Sequence, residues 1–309
     1  MQHIGELAAF GTSICWTASA IFFERSAKRV GALAVNFYKV AGALILLIAT
    51  AWITRGLPFP TDAPGSAWIY LSISGLIGFV LSDYFLFNSY IMIGSRRATL
   101  LQPLSPVFSA GLAFLLLGER MAATSWLGIG LVVGGIFTAL LSRHREDAAA
   151  AGQRSGSGEK QRNAIVAKGL VFALLAALFN SVGLVFTKKG LGSYNVISGT
   201  EIRVIAALLG FGIQALFFGE REQVFIKAPR DPVAVRNTLI GTVFGPFAGV
   251  VLSLVGLQYS SAGTTSALSS LSPILIILPS VIFLKQRVRA GEVLGAAVAV
   301  AGVVCLFLL

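Results

Sequence analysis

The sequence predicts an all-α membrane protein of ten transmembrane helices, arranged as two inverted five-helix repeats. Three observations predict it. Only 12% of the 309 residues are charged and 56% are hydrophobic, with a mean hydropathy of +0.83. A soluble protein carries about 25% charged residues, so this chain cannot cover a water-facing surface and belongs in a bilayer. Ten apolar stretches follow one another near 6–24, 33–53, 67–87, 98–118, 122–142, 164–186, 196–218, 238–258, 262–284 and 290–309. Each approaches the roughly 20 residues that a spanning helix needs. Finally, the chain repeats. Leu104-Ser105-Pro106, Arg120, Leu127-Gly128 and Gly135 recur as Leu271-Ser272-Pro273, Arg287, Leu294-Gly295 and Gly302, all at an offset of 167.

The early spans repeat at an offset of 164, which places Trp16 on Asn180 and Lys39 on Arg203. The loop 219–236 can hold the extra residues. Residues 1–142 form the first unit and 164–309 the second. Five spans is an odd number, so the second unit enters the membrane upside down. Between them, 143–163 contains AAAAGQRSGSGEKQR and reads as a flexible hydrophilic linker. Its GQRSGSGEK is no phosphate loop, because no strand precedes it and Lys160 is not followed by Ser or Thr. Met1 to Glu6 lacks the basic start of a cleavable signal peptide, so the first span is expected to stay.

A net charge of +11 would suggest nucleic acid in a soluble protein. Here it reflects basic loops, and no nucleic-acid partner is expected. The linker side carries 18 Lys and Arg, the opposite side 4, and Lys39 and Arg203 lie within spans. The positive-inside rule then puts the linker in the cytoplasm and both termini outside the cell (inner) membrane.

Asp83 is the sharpest candidate for chemistry. It sits between GLIGFVL and YFLF, at membrane depth. A carboxylate there costs about 2.5–3.5 kcal/mol on insertion scales, so it should face a wet cavity or a partner. It could take up a coupling proton or bind a substrate amine; the plainer role is a helix-packing Asp bonded to a Ser or Asn. Lys39 and Arg203 occupy equivalent places, which suggests a shared role; the alternative is snorkelling to the interface. Glu24 and Arg25 read as a solvated pair, and Glu201 as near the surface.

Pro106 and Pro273 interrupt backbone hydrogen bonds in the fourth and ninth spans, as gating or kink positions. Gln102, Ser105, Ser269, Ser270 and Ser272 lie within a turn of them and could line a substrate path. Trp16 could stack on a substrate opposite Asn180, or pack in the core. Gly241, Gly245 and Gly249, and Gly130 and Gly134, have the spacing of close helix contacts. Cys15 and Cys305 read as apolar packing.

Leu104-Ser105-Pro106, Gly118-Glu119-Arg120, Leu127-Gly128 and Gly134-Gly135, repeated in register in the second half, resemble the EamA-type units of the drug/metabolite transporter superfamily. The second copy keeps LSP and Gly295 but carries Lys285-Gln286-Arg287 for Gly-Glu-Arg. The stretch 82–106 is similar to a branch with an acidic residue late in the third span. The resemblance covers all ten spans and fails only in the linker. It implies a transporter that exports or exchanges small metabolites, often amino acids, through a central cavity. Family members are commonly drawn with both termini in the cytoplasm; the charge count here gives the reverse.

Enzyme chemistry finds little support. His3 and His144 are the only histidines, with no HExxH, no CxxC and no paired carboxylates within spans. No cofactor or metal is implied. The expected function is secondary active transport of a small molecule by alternating access, with proton coupling as one reading. The alternatives are a membrane-embedded enzyme acting on lipid-linked groups and a non-transporting sensor or scaffold.

Overall fold

Backbone polar groups in a bilayer must be satisfied within the protein, and helices do this segment by segment. The computed structural model describes residues 3–117, 123–151, 157–217, 219–259, 268–269, 271–284 and 288–308. Every regular element among them is helical. The helices α1 (His3–Val30) and α2 (Ala32–Arg55) come first. Next is α3 (Gly65–Ile93), which contains a π-helical stretch at Leu76–Leu81. A short helix, Ser95–Thr99, precedes α4 (Leu104–Leu117). They are followed by α5 (Ala123–Ala151), α6 (Ser157–Leu191) and α7 (Val196–Phe217). The next helix, α8, joins Pro232–Thr242 through a π-helical Val243–Gly249 to Val250–Tyr259. Two short pieces, Ser272–Leu275 and Ile277–Leu284, make α9, and α10 is Ala290–Leu308.

Among the described residues, 6 helices are long and apolar enough to cross a membrane, and Trp126–Ser142 and Ala290–Cys305 are shorter apolar helices. The outer surface is oily: Ile53 is 85% exposed and Phe217 79%. Such a surface suits lipid and would aggregate in water. The motifs Gly118-Glu119-Arg120 and Lys285-Gln286-Arg287, and Ser270, lie outside the described residues.

Local chemistry sets the corners. Gly31 alone separates α1 from α2, and Gly94 alone separates α3 from Ser95–Thr99. Both take positive φ, +83° and +81°, which a side chain would strain. The α8 start is an Asp-Pro cap: Asp231 Oδ1 accepts from the backbone N–H of Val233 and Ala234, with Pro232 at the first helical position.

Two expectations change. Pro106 and Pro273 do not kink the middle of a helix. They stand in the first turns of α4 and α9, where a missing N–H costs nothing. The break lies before them, at residues 100–103, where i→i+3 bonds such as Leu104 N–H to Leu101 O close the turn. Irregular backbone is tolerated there because Leu100 and Leu101 are buried in protein. The hydrophilic stretch 143–163 is also largely helical, since α5 runs to Ala151 and α6 starts at Ser157. The run Ala148 to Ala151 has the highest intrinsic helix propensity.

The packing exchanges partners between the halves. A Cβ on Gly135 would meet Gly295 O, and one on Gly302 would meet Gly128 O, where α5 crosses α10. The offset of 167 turns the first contact into the second. Gly78 meets Gly183 where α3 crosses α6, and Gly245 meets Ser19 where α8 crosses α1. The two π-helical stretches begin at the same offset, Leu76 and Val243. Gly241, Gly245 and Gly249 do pack closely, on Phe23, Ser19 and Trp16. Gly130 and Gly134 do not: a Cβ on either meets nothing within 4 Å.

A Leu at Gly295 would drive into Gly135 O and the Ala139 backbone. We expect Gly295→Leu to cost about 1–3 kcal/mol or more by overpacking and Gly134→Leu to be neutral. Thermal unfolding of the two purified variants in detergent checks this, and equal melting temperatures would contradict the packing described.

Candidate functional site

Two symmetry-related cations and one carboxylate meet in the middle of the bundle. Lys39 lies two turns into α2 and is 6% exposed. Its Nζ is 2.5 Å from Asp83 Oδ2, just after the π-helical stretch of α3. The ammonium also stands 4.5 Å from the centroid of the Phe87 ring. Lys39 therefore does not snorkel; a carboxylate and an aromatic face hold it inside. The Asp83 partner is a lysine, not the Ser or Asn expected of a packing residue. Arg203, on α7, lies 4.4 Å over the Phe79 ring, beside Gly78. Its Nε is buried without an acceptor.

A belt of hydroxyls lies one turn of α6 away. Ser82 donates to Ala176 O, and Asn180 follows Ala176 by one turn. Asn180 Nδ2 donates to Ser105 Oγ at 3.3 Å, and Ser181 donates to Ser105 O at 2.8 Å. In the other half, Thr17 donates to Ser272 O at 3.4 Å and Ser272 donates to Ser13 O at 3.2 Å. The repeat offsets carry Ser105 and Ser181 onto Ser272 and Thr17. They also carry Gln102 onto Ser269, and both leave a buried polar atom unpartnered, Nε2 and Oγ. Trp16 packs over Gly245 and Gly249 and remains 41% exposed.

An apolar groove of about 320 Å³ opens between α2 and α8, lined by Val35, Tyr38, Gly42, Thr238 and Leu239. It reaches neither Asp83 nor Arg203. Charge, not volume, marks the candidate site.

Polar clasps close the two ends. At the linker end, Glu24 is 2% exposed and accepts from Lys28 Nζ at 2.5 Å and from the Ser95 N–H at 2.7 Å. It is buried rather than solvated, because it caps the first turn of Ser95–Thr99. Arg96 pairs with Glu292 at 2.7 Å, both fully buried, and ties this turn to α10. Arg29 pairs with Asp231 at 2.8 Å. At the opposite end, Asp62 accepts from Tyr194 Oη at 2.7 Å and Arg55 at 2.6 Å, and Arg55 also donates to Ser198. Glu201, one turn on, lies near this end as expected, but its side chain is fully buried and neither carboxylate oxygen has a hydrogen-bond partner among the described residues. The Tyr194 hydroxyl, then Arg55, hold the Asp62 carboxyl below its ordinary range. Arg29, then the Ala234 N–H, do the same for Asp231.

The sequence carried a signal for the Lys39–Asp83 pair, opposite charges in adjacent spans. It carried none for Arg96–Glu292, whose members are far apart in the chain and look like loop residues.

A family model described as the EamA-like transporter family matches this chain twice, over residues 3–141 and 167–308. The chain belongs to the EamA-like transporter family. An uncharacterized transporter of Archaeoglobus fulgidus is 22% identical over 305 residues, covering 98% of this chain and 97% of its own. A second from the same organism is 32% identical over 99 residues, a third of either chain. A solved structure described only as a crystal structure of a protein superposes with a TM-score of 0.65 at 19% identity, covering 98% of this chain and 96% of that one, and shows the shared fold. This EamA-like protein is thus an integral multi-pass membrane transporter of a small molecule, not an enzyme. The family's two matches fall on the two repeated halves.

Removing one partner of a buried pair costs about 3–5 kcal/mol, while replacing both is often neutral. We expect Lys39→Met to melt well below wild type and Lys39→Met with Asp83→Leu to regain most of the loss; a double variant as weak as the single contradicts a direct pair. The Asp62 clasp stabilises the fold above the unfolded carboxyl pKa of about 3.9 and is lost as pH falls through the lowered folded value. The difference in melting temperature between wild type and Asp62→Asn should therefore be largest at neutral pH and shrink below about pH 4.

Proposed function

We propose that this EamA-like protein is a secondary active transporter that exports or exchanges a small metabolite, such as an amino acid, by alternating access. In this reading ten spans form two inverted bundles, residues 1–142 and 164–309, joined by 143–163. One observation carries it: the Gly135–Gly295 and Gly128–Gly302 contacts exchange under the repeat offset. Two halves that swap contacts are related by a two-fold axis. With an odd number of spans per half, that axis lies in the membrane plane. Each gate then has a counterpart at the other end. The linker-end gate is closed through Arg96–Glu292 and Glu24–Ser95, and the opposite gate works through Arg55, Asp62 and Tyr194.

Asp83 is the coupling group. Protonating it would release Lys39 and leave a cation at the centre, so proton uptake and substrate binding would be linked there. Trp16, Asn180, Gln102, Ser105, Ser269 and Ser272 contribute the polar and aromatic wall of the path. The breaks before Pro106 and Pro273 are the places where the bundles pivot. The linker faces the cytoplasm and the termini lie outside the inner membrane, as the excess of basic residues directs.

Reconstituted in liposomes, wild type should accumulate amino acids or related metabolites under a proton gradient. Asp83→Asn should insert normally, lose that accumulation and retain exchange; unchanged pH-dependent flux would remove Asp83 from coupling. A periplasm-active phosphatase fused after Leu309 should be active. A cytoplasm-only fluorescent reporter that lights up there instead would reverse the orientation.

A further inference from the structure

The halves match in everything at the centre except one charge. Lys39 corresponds to Arg203, and the π-helical stretch of α3 corresponds to that of α8. Asp83 corresponds to Val250. The first half therefore contains a complete ion pair, Lys39 with Asp83. The second half contains a guanidinium whose equivalent carboxylate is missing. The buried Nε of Arg203 has no hydrogen-bond partner among the described residues; the guanidinium lies against the Phe79 ring and the glycine-lined crossing of α3 and α6. An ionised group at membrane depth that gives up its hydration without hydrogen bonds is costly. An ion–ring contact recovers only about 0.5–2 kcal/mol.

We propose that the central site takes a substrate bearing a carboxylate, and that Arg203 is the group that holds it. The proposal rests on the transport reading above and adds the chemical class of its cargo. A guanidinium presents a planar fork that matches a carboxylate with two parallel hydrogen bonds. The substrate supplies the charge that Val250 omits. Two cations against one carboxylate leave an excess of positive charge, which an anionic group neutralises and an amine would worsen. Asp83 offers no seat for an amine while Lys39 occupies it. Gly78 keeps side-chain bulk away from the guanidinium: a Cβ there would stand 3.5 Å from an Arg203 terminal nitrogen.

The test separates binding from movement. Purified wild type, Arg203→Gln and Arg203→Lys are titrated at constant ionic strength with short mono- and dicarboxylates, α-amino acids, and amines of matched size that lack a carboxyl. Thermal stability is read in detergent, and flux in proteoliposomes. We expect carboxylate-bearing compounds to raise the melting temperature of wild type and carboxyl-free amines to leave it unchanged. Arg203→Gln should lose at least about 10-fold in apparent affinity, the worth of a charged hydrogen bond, and Arg203→Lys should keep part of it. The Gln variant, relieved of an unpaired cation, should melt no lower than wild type without ligand, which keeps the comparison interpretable. Stabilisation or flux by carboxyl-free amines, or carboxylate binding unchanged in Arg203→Gln, overturns the proposal while leaving transport standing. No stabilisation by any carboxylate also overturns it. Carboxylate binding without flux supports the site and refutes the transport reading instead.

Discussion

Helices in lipid gain nothing by hiding apolar surface from one another, so close backbone approach has to hold them. In this protein that approach occurs at glycines in exchanged pairs, Gly135 with Gly295 and Gly128 with Gly302. The same rule recurs at Gly78 with Gly183, and at Gly245 with Ser19. These contacts set how α5 meets α10 and how α3 and α8 meet α6 and α1. Everything at the centre hangs on those crossings. Gly75 lets α7 come so near α3 that an added Cβ would strike Arg203 O, which is how Arg203 reaches the Phe79 ring.

Once the helices are that close, charge decides the chemistry. Lys39 and Asp83 neutralise each other inside, at side-chain exposures of 8% and 15%. Arg203 has the matching place without the matching carboxylate. A strictly symmetric centre would present the same neutral pair twice and give an ionic cargo no preferred seat. Under the carboxylate proposal, Val250 in place of a second carboxylate makes the centre asymmetric and gives an anionic cargo one seat. The π-helical stretch at Leu76–Leu81 carries Gly78 and Phe79 beside Arg203 and ends just before Asp83, in keeping with the frequency of such stretches at functional sites.

The ends obey different rules from the centre. Arg96 and Glu292 are buried together, and Glu24 caps a short helix through the Ser95 N–H. Asp62 is an exposed carboxylate held by Tyr194 and Arg55, and Asp231 a half-buried one held by Arg29. A buried pair such as Arg96–Glu292 adds little net stability but penalises any arrangement that separates its members. It is suited to defining discrete open and closed states.

Composition, spacing and repetition alone determined that the chain is an all-helical membrane protein with two related halves, because lipid allows few backbone solutions and a repeat is visible without coordinates. They also singled out Asp83, Lys39 and Arg203, since an ionised residue in an apolar run stands out. Only the tertiary structure decided who meets whom. It joined Lys39 to Asp83 and left Arg203 on an aromatic ring, where snorkelling had been the plain alternative. It placed Pro106 and Pro273 at helix starts, turned Gly130 and Gly134 outward, and buried Glu24, Glu201, Arg96 and Glu292. The reason is geometric. Hydropathy reports the depth of a residue along its own helix, whereas partners depend on the rotation and crossing of other helices, and these follow from contacts such as Gly135 on Gly295 that join residues far apart in the chain.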